Sequence, residues 1–190
     1  MARLKEFFKN TVSPELQKKL NLSNVMQIPE IKKVVLNIGV GNASTDKKIV
    51  QTALDHLSRI AGQKAVVTKA RKSIAGFKIR DGWPLGVKVT LRKNCMYEFL
   101  DRVINITLPR VRDFRGVDVN GFDRRGNFNF SFKELVFPEL DLDELDPNVS
   151  GMNVTIVTSA RTDLHAYELL KAFSFPFRGV LKQQSTGESA

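Results

Sequence analysis

Leu85-Gly86-Val87-Lys88-Val89-Thr90-Leu91-Arg92-Lys93 alternates strictly, with Leu85, Val87, Val89 and Leu91 on one side and Lys88, Thr90 and Arg92 on the other. Successive side chains of a β-strand point to opposite faces, so this segment is a strand with one oily face and one basic, polar face. A sheet made of such strands is covered on one side only, as antiparallel sheets commonly are and all-parallel sheets almost never are. Ile31 to Val40 repeats the design: Val34, Leu36, Ile38 and Val40 share one face, and Lys33, Val35, Asn37 and Gly39 the other.

The strand at Leu85 is the end of a longer basic stretch, Thr68 to Lys93 (TKARKSIAGFKIRDGWPLGVKVTLRK). Between Lys64 and Lys93 the cations are Lys64, Lys69, Arg71, Lys72, Lys78, Arg80, Lys88, Arg92 and Lys93, and Asp81 alone opposes them. Charge this one-sided attracts polyanions, and its placement on a loop and a strand points to folded nucleic-acid recognition. The loop, about residues 70–86, contains Gly76, Gly82 and Pro84, which break regular structure, and its Ile74, Phe77 and Ile79 follow no clean period. It is expected to project and to stay mobile until it meets a partner.

The whole chain agrees in sign, with a net charge of +10 over 190 residues and a pI near 9.9. A hydrophobic content of 42% is ordinary for a globular chain of this length, so a single domain over residues 1–181 is expected. No apolar run approaches the roughly 20 residues that span a bilayer, and no lipidation signal is present, so a membrane partner is not expected. The opening MARLKEFFKN lacks the apolar core of a signal peptide, and the single Cys95 can form no internal disulfide. Both features lead to the expectation of a cytoplasmic setting.

Elsewhere, Ser13-Pro14 reads as an N-cap followed by proline at the first helical position, predicting a helix over Pro14 to Leu20. Ile49, Ala53, Leu57 and Ile60 recur at helical spacing behind a Thr45/Asp46 cap, with Gly62 as the stop and a strand over Lys64 to Thr68 after it. Asn94 is expected to cap a helix with the stripe Met96, Phe99, Leu100, Val103, Thr107 and Leu108, ended by Pro109. Phe128, Phe130 and Phe132 alternate with Asn127, Asn129 and Ser131 after a turn bracketed by Gly121 and Gly126, and Met152, Val154 and Ile156 alternate with Asn153, Thr155 and Val157. Asp163 opens a last helix through Leu169, Leu170 and Phe173. Hairpins mixed with helices predict an α+β fold with a largely antiparallel sheet, helices packed on one face and the other face basic and polar. The tail of residues 182–190, KQQSTGESA, lacks apolar anchors and is expected to be disordered.

Catalytic readings find little support. Gly39-Val40-Gly41-Asn42-Ala43-Ser44 follows a strand and precedes a helix, so a nucleotide-binding enzyme is the alternative to RNA binding; but Ser44 stands where the dinucleotide fingerprint needs its third glycine, and no βαβ repeat supports it. His56 and His165 lie on predicted helices without a ligand set, so no metal or other cofactor is expected. Cys95 reads as a buried helix residue, and Glu139, Asp141, Asp143, Glu144 and Asp146 as a solvated acidic turn without calcium-loop order. The Phe128, Phe130 and Phe132 row reads as a core-facing side of a hairpin rather than a stacking platform for bases.

Several blocks together resemble one family. NVMQIPEIKKVVLNIGVG, LSRIAGQKAVVTKARKSIAGFKIR, KVTLR, LPRVRDFRG, FDRRGNF, FPE and AFSFPFR occur in that order from roughly Leu4 to Arg178, and the chain is similar to the bacterial L-five family of large-subunit ribosomal proteins. Trp83 stands where that family often carries tyrosine. The resemblance implies an α+β fold without catalytic activity that binds 5S ribosomal RNA in the central protuberance through a polar cluster, here Lys33, Asn37, Gln63 and Thr90. The alternation places Lys88 and Arg92 beside Thr90, where they would neutralise phosphates. The resemblance further implies that the loop, with Arg71, Lys72, Ser73, Lys78 and Arg80, approaches peptidyl-site tRNA. Its other implied partners are 23S ribosomal RNA, neighbouring central-protuberance proteins and a small-subunit head protein in an intersubunit bridge.

Overall fold

A computed structural model of the chain describes residues 2–41, 47–140, 149, 151–179 and 181. Its strands are β1 (Ile31–Gly39), β2 (Val66–Lys69), β3 (Pro84–Leu91), β4 (Val117–Asp118), β5 (Phe128–Phe132), β6 (Met152–Thr158) and β7 (Phe177–Arg178). Among the described residues, five of them form one sheet in the order β2-β3-β1-β6-β5, with antiparallel pairing throughout, while β4 and β7 make a short parallel pair apart from it. The helices are α1 (Arg3–Phe7), α2 (Ser13–Lys19), α3 (Lys47–Ala61), α4 (Lys93–Arg102), α5 (Leu108–Arg110) and α6 (Asp163–Ala172).

The alternation read in the sequence decides which face is covered. Val34, Leu36 and Ile38 of β1, Val87, Val89 and Leu91 of β3, Val154 and Ile156 of β6 and Phe128 of β5 are all buried. Ala53, Leu57 and Ile60 of α3 and Met96, Phe99 and Leu100 of α4 join them in one core cluster. Each fully buried side chain of this size contributes roughly 1.5–3 kcal/mol relative to exposure. Phe128 packs 5.2 Å from Phe177 and 4.7 Å from Phe122, and Phe130 lies 5.4 Å from Phe175, all centroid to centroid. The phenylalanine row of β5 is therefore core, and the fold is the α+β architecture expected.

Several local expectations are corrected. Ser13 is not an N-cap: it has helical dihedrals itself, and a π-helical turn over Phe8–Val12 joins α1 to α2. Pro109 likewise does not end a helix, because a π turn over Val103–Thr107 carries α4 into α5. The cause is shared. A proline has no N–H for the carbonyl four residues back, and those carbonyls, of Asn10 and Asn105, both lie within the wider π turns that let the helix continue. Asn94 is not a cap either; α4 starts at Lys93, and the Asn94 side-chain oxygen accepts from Lys5 Nζ at 2.9 Å. Cys95 is exposed rather than buried, lying in the first turn of α4 ahead of the buried stripe that begins at Met96.

Gly62, with φ +63°, follows the end of α3. The Thr45/Asp46 cap, Asn42, Ala43 and Ser44 of the Gly39–Ser44 turn, Asp141, Asp143, Glu144, Asp146 and the 182–190 tail lie outside the described residues. Glu139 is not simply solvated: it accepts from Arg102, whose other guanidinium nitrogen donates to the Ile60 carbonyl at 3.0 Å. The turn before β5 is built by carboxylates. Asp123 accepts from the backbone of Arg125 and Asn127 and from the Asn127 side chain, at 2.9, 3.0 and 2.7 Å. Burial alone would raise the Asp123 carboxyl, but these hydrogen bonds outweigh it and hold it below its ordinary value. Gly126 is required there: its φ is +77°, and a Cβ would meet the Ala160 carbonyl oxygen at 2.5 Å.

Candidate nucleic-acid interface

The face of the sheet opposite the helices carries cross-strand rungs that the registers define. One runs Thr90–Val35–Thr155–Asn129 across β3, β1, β6 and β5, and the next runs Val66–Lys88–Asn37–Asn153–Ser131 across all five strands. Lys33 sits one step further along β1, opposite Val157. A bulge at Lys32 sets that position: it lets both Ile31 and Val34 stay in the core, so Lys33, Val35 and Asn37 share the open side. Gln63, between α3 and β2, reaches the same region, its amide donating to the Thr90 carbonyl at 3.5 Å. Arg92 follows directly on β3, exposed like Lys88 and Asn37.

Lys33, Asn37, Gln63, Lys88, Thr90 and Arg92 are thus brought together around two adjacent central strands. Asn153 and Thr155 of β6 and Asn129 and Ser131 of β5 extend the polar surface beyond them; Thr155 donates to Asn129 Oδ1 at 2.7 Å. These four were visible in the sequence as the polar halves of alternating strands. What period alone could not supply is the strand order that sets β6 beside β1. The surface offers donors and acceptors on a stiff backbone, suited to sugar and base edges, with a few cations for phosphates.

Arg71, Lys72, Ser73, Lys78 and Arg80 stand apart, in an exposed arm that joins β2 to β3. The expectation of a segment without regular structure of its own is corrected: the arm is a hydrogen-bonded hairpin. Ala70 N donates to Trp83 O at 2.8 Å and Gly82 N to Ala70 O at 3.1 Å, and Ile74 and Ile79 exchange both backbone bonds at 2.9 and 3.1 Å. Ser73 Oγ accepts from Asp81 N at 3.0 Å, so this residue ties the two legs together. Pro84, read as a breaker, is the first residue of β3. Among the described residues, none of Lys33, Lys88, Arg92, Arg71, Lys72, Lys78 or Arg80 is neutralised by an ion pair; the pairs lie elsewhere, as in Arg3–Asp101 at 2.7 Å and Lys19–Glu168 at 2.5 Å. A separate groove of about 560 Å³ beside β5 collects Arg112, Arg115, Lys133 and Arg178 and meets the open face at Asn129 and Ser131. Among the described residues no group of His, Cys, Asp and Glu could hold a metal ion, and no helix is long and apolar enough to cross a membrane.

An antiparallel sheet backed by helices, open and polar on its other side and carrying a basic arm, defines an α+β protein built around an exposed sheet platform. Comparison with known proteins makes this particular. Residues 24–80 match the family model described as ribosomal protein L5, and residues 84–177 match the model for the C-terminus of the same ribosomal family. Large ribosomal subunit protein uL5 of Nitrosomonas europaea is 57% identical over 94% of this chain and 99% of its own length. The uL5 protein of Chromobacterium violaceum is 57% identical over 94% of this chain and 100% of its own length. The chain belongs to the L5 family of ribosomal proteins. It is a structural constituent of the large subunit in the cytoplasmic ribosome, with ribosomal RNA and other ribosomal components as partners, and not an enzyme.

Proposed function

We propose that the open sheet face anchors 5S ribosomal RNA in the central protuberance and that the arm reaches the tRNA in the peptidyl site. Asn37, Gln63 and Thr90 supply neutral hydrogen-bonding groups to sugar and base edges, while Lys33, Lys88 and Arg92 neutralise phosphates. Arg71, Lys72, Ser73, Lys78 and Arg80 form the tRNA-facing set. In this reading residues 1–181 act as one RNA-binding domain that also meets 23S ribosomal RNA, neighbouring central-protuberance proteins and, through an intersubunit bridge, a small-subunit head protein.

The observation that carries the reading is the rung Lys88–Asn37–Asn153–Ser131, a continuous polar line across four strands on a face that no described helix covers. A row of two amides, a hydroxyl and one cation on a rigid sheet matches a folded RNA surface better than an apolar protein face. The test is direct. Asn37→Ala, Gln63→Ala and Thr90→Ala should each weaken 5S RNA binding by about 1–3 kcal/mol, because an RNA partner group is left unpaired. Native circular dichroism with undiminished binding in all three would remove this face from consideration.

A further inference from the structure

The arm ends in a feature that charge does not explain. Between Ile74 and Ile79, whose mutual backbone bonds close the hairpin, the chain makes a tight 3-10 turn over Ala75–Phe77. Lys78 follows in the left-handed region at φ +53°, its N–H bonded to the Ala75 carbonyl at 3.0 Å. This geometry leaves the Phe77 side chain 70% exposed at the tip, and Ile74 beside it 48% exposed. Among the described residues no other aromatic ring lies against Phe77, although the remaining phenylalanines of the chain pack mostly into the core.

An exposed phenylalanine loses apolar burial, so its position at the tip of a locked turn calls for an occupant. The surroundings state the occupant's charge. Arg71, Lys72, Lys78 and Arg80 lie on either side of Phe77 along the arm, opposed there by Asp81 alone. An apolar protein pocket approached by four cations would have to be acidic as well, whereas a nucleobase presents a flat π face next to the phosphates that those cations attract. We propose that Phe77 is a stacking residue, its ring lying against an unstacked base or exposed base pair of the RNA that the arm meets. Resting on the reading that this RNA is peptidyl-site tRNA, the proposal adds that the contact is made by ring and base and not by charge alone. The backbone bonds between Ile74 and Ile79 fix the turn that carries the ring, so less of the backbone has to be ordered when the stack forms.

The experiment uses ribosomes reconstituted with the full chain carrying Phe77→Ala, Phe77→Leu or Phe77→Trp, and measures tRNA dissociation from the peptidyl site together with base-by-base chemical reactivity of that tRNA. Stacking predicts dissociation roughly 5- to 150-fold faster for Ala and Leu, the range that loss of one base–ring stack produces, with Trp retained at or below the original rate. It also predicts a base protected in the original and Trp forms and reactive in the Ala and Leu forms. If Leu retains tRNA as well as Phe while Trp does not, the tip fills an apolar pocket and the proposal is wrong. A fourth form, with Arg71, Lys72, Lys78 and Arg80 neutralised, separates the two layers of inference. Faster dissociation there with all Phe77 forms unchanged overturns stacking and keeps the tRNA reading, whereas normal dissociation in every form overturns the tRNA reading itself.

Discussion

The open sheet face and the arm are both polar and both basic, yet they are built on opposite principles. On the face, neutral groups outnumber charges: Asn37, Thr90, Asn153, Thr155, Asn129 and Ser131 stand on strands whose other sides are locked in the core by Leu36, Val89, Val154 and Phe128. On the arm, Arg71, Lys72, Lys78 and Arg80 sit on a hairpin held by its own backbone bonds, with its residues exposed apart from half-buried Ile79 between 71 and 80. A surface of the first kind reads shape and hydrogen-bonding pattern, and its geometry is fixed by the whole fold. A surface of the second kind combines charge with an exposed ring at its tip, and its geometry is fixed locally. In the proposed reading, the first holds one RNA in fixed register and the second touches another that comes and goes.

The strongest way to couple the two regions is at their junction. Gly86 pairs with Gly39 on one side and Thr68 on the other, directly after the arm. A Cβ there would come within 2.5 Å of the Ile38 carbonyl oxygen and 3.3 Å of Thr68 Oγ1. Gly86→Val should destabilise the protein by about 1–3 kcal/mol through forced displacement of β1 or β2, and should disturb both surfaces together. A thermal midpoint equal to that of the original protein would mean that the strands can part there without cost.

A smaller effect tests how far the face extends. Asn153→Ala, directly beside Asn37 on β6, should cost about 0.5–1.5 kcal/mol of 5S RNA affinity in a filter-binding assay. No loss would confine the interface to β1 and β3. The charges on the face are separable from its amides by salt. Replacing Lys33, Lys88 and Arg92 with alanine should flatten the plot of log affinity against log salt by about 0.7 to 0.9 per lost phosphate contact, with little change in preference among RNAs. An unaltered slope in the triple variant would show that none of the three touches a phosphate.

The difference between the regions also explains what the sequence could and could not tell. Period-2 alternation in Ile31–Gly39 and Pro84–Leu91 announced both faces of those strands, because burial acts residue by residue on a strand of known direction. The membership of Asn153 and Thr155 was hidden, since it depends on β6 pairing with β1 across more than a hundred residues of chain. Local signals misled where a longer-range contact or an accommodating turn overrode them. Ser13-Pro14 and Pro109 carry ordinary start and stop chemistry, but π turns upstream absorb each proline while the helices keep packing. The arm's glycines and proline carry breaker chemistry, yet here they shape a hairpin whose order comes from backbone bonds that leave no hydrophobic period.

The separateness of the two surfaces is tested most directly by one paired measurement on the chain with Arg71, Lys72, Lys78 and Arg80 neutralised: affinity of the free protein for 5S RNA, and the rate at which tRNA leaves the peptidyl site of ribosomes reconstituted with it. Two independent surfaces predict 5S affinity close to that of the original protein and faster tRNA loss. Lost 5S binding with normal tRNA retention in the particles that still assemble would contradict them.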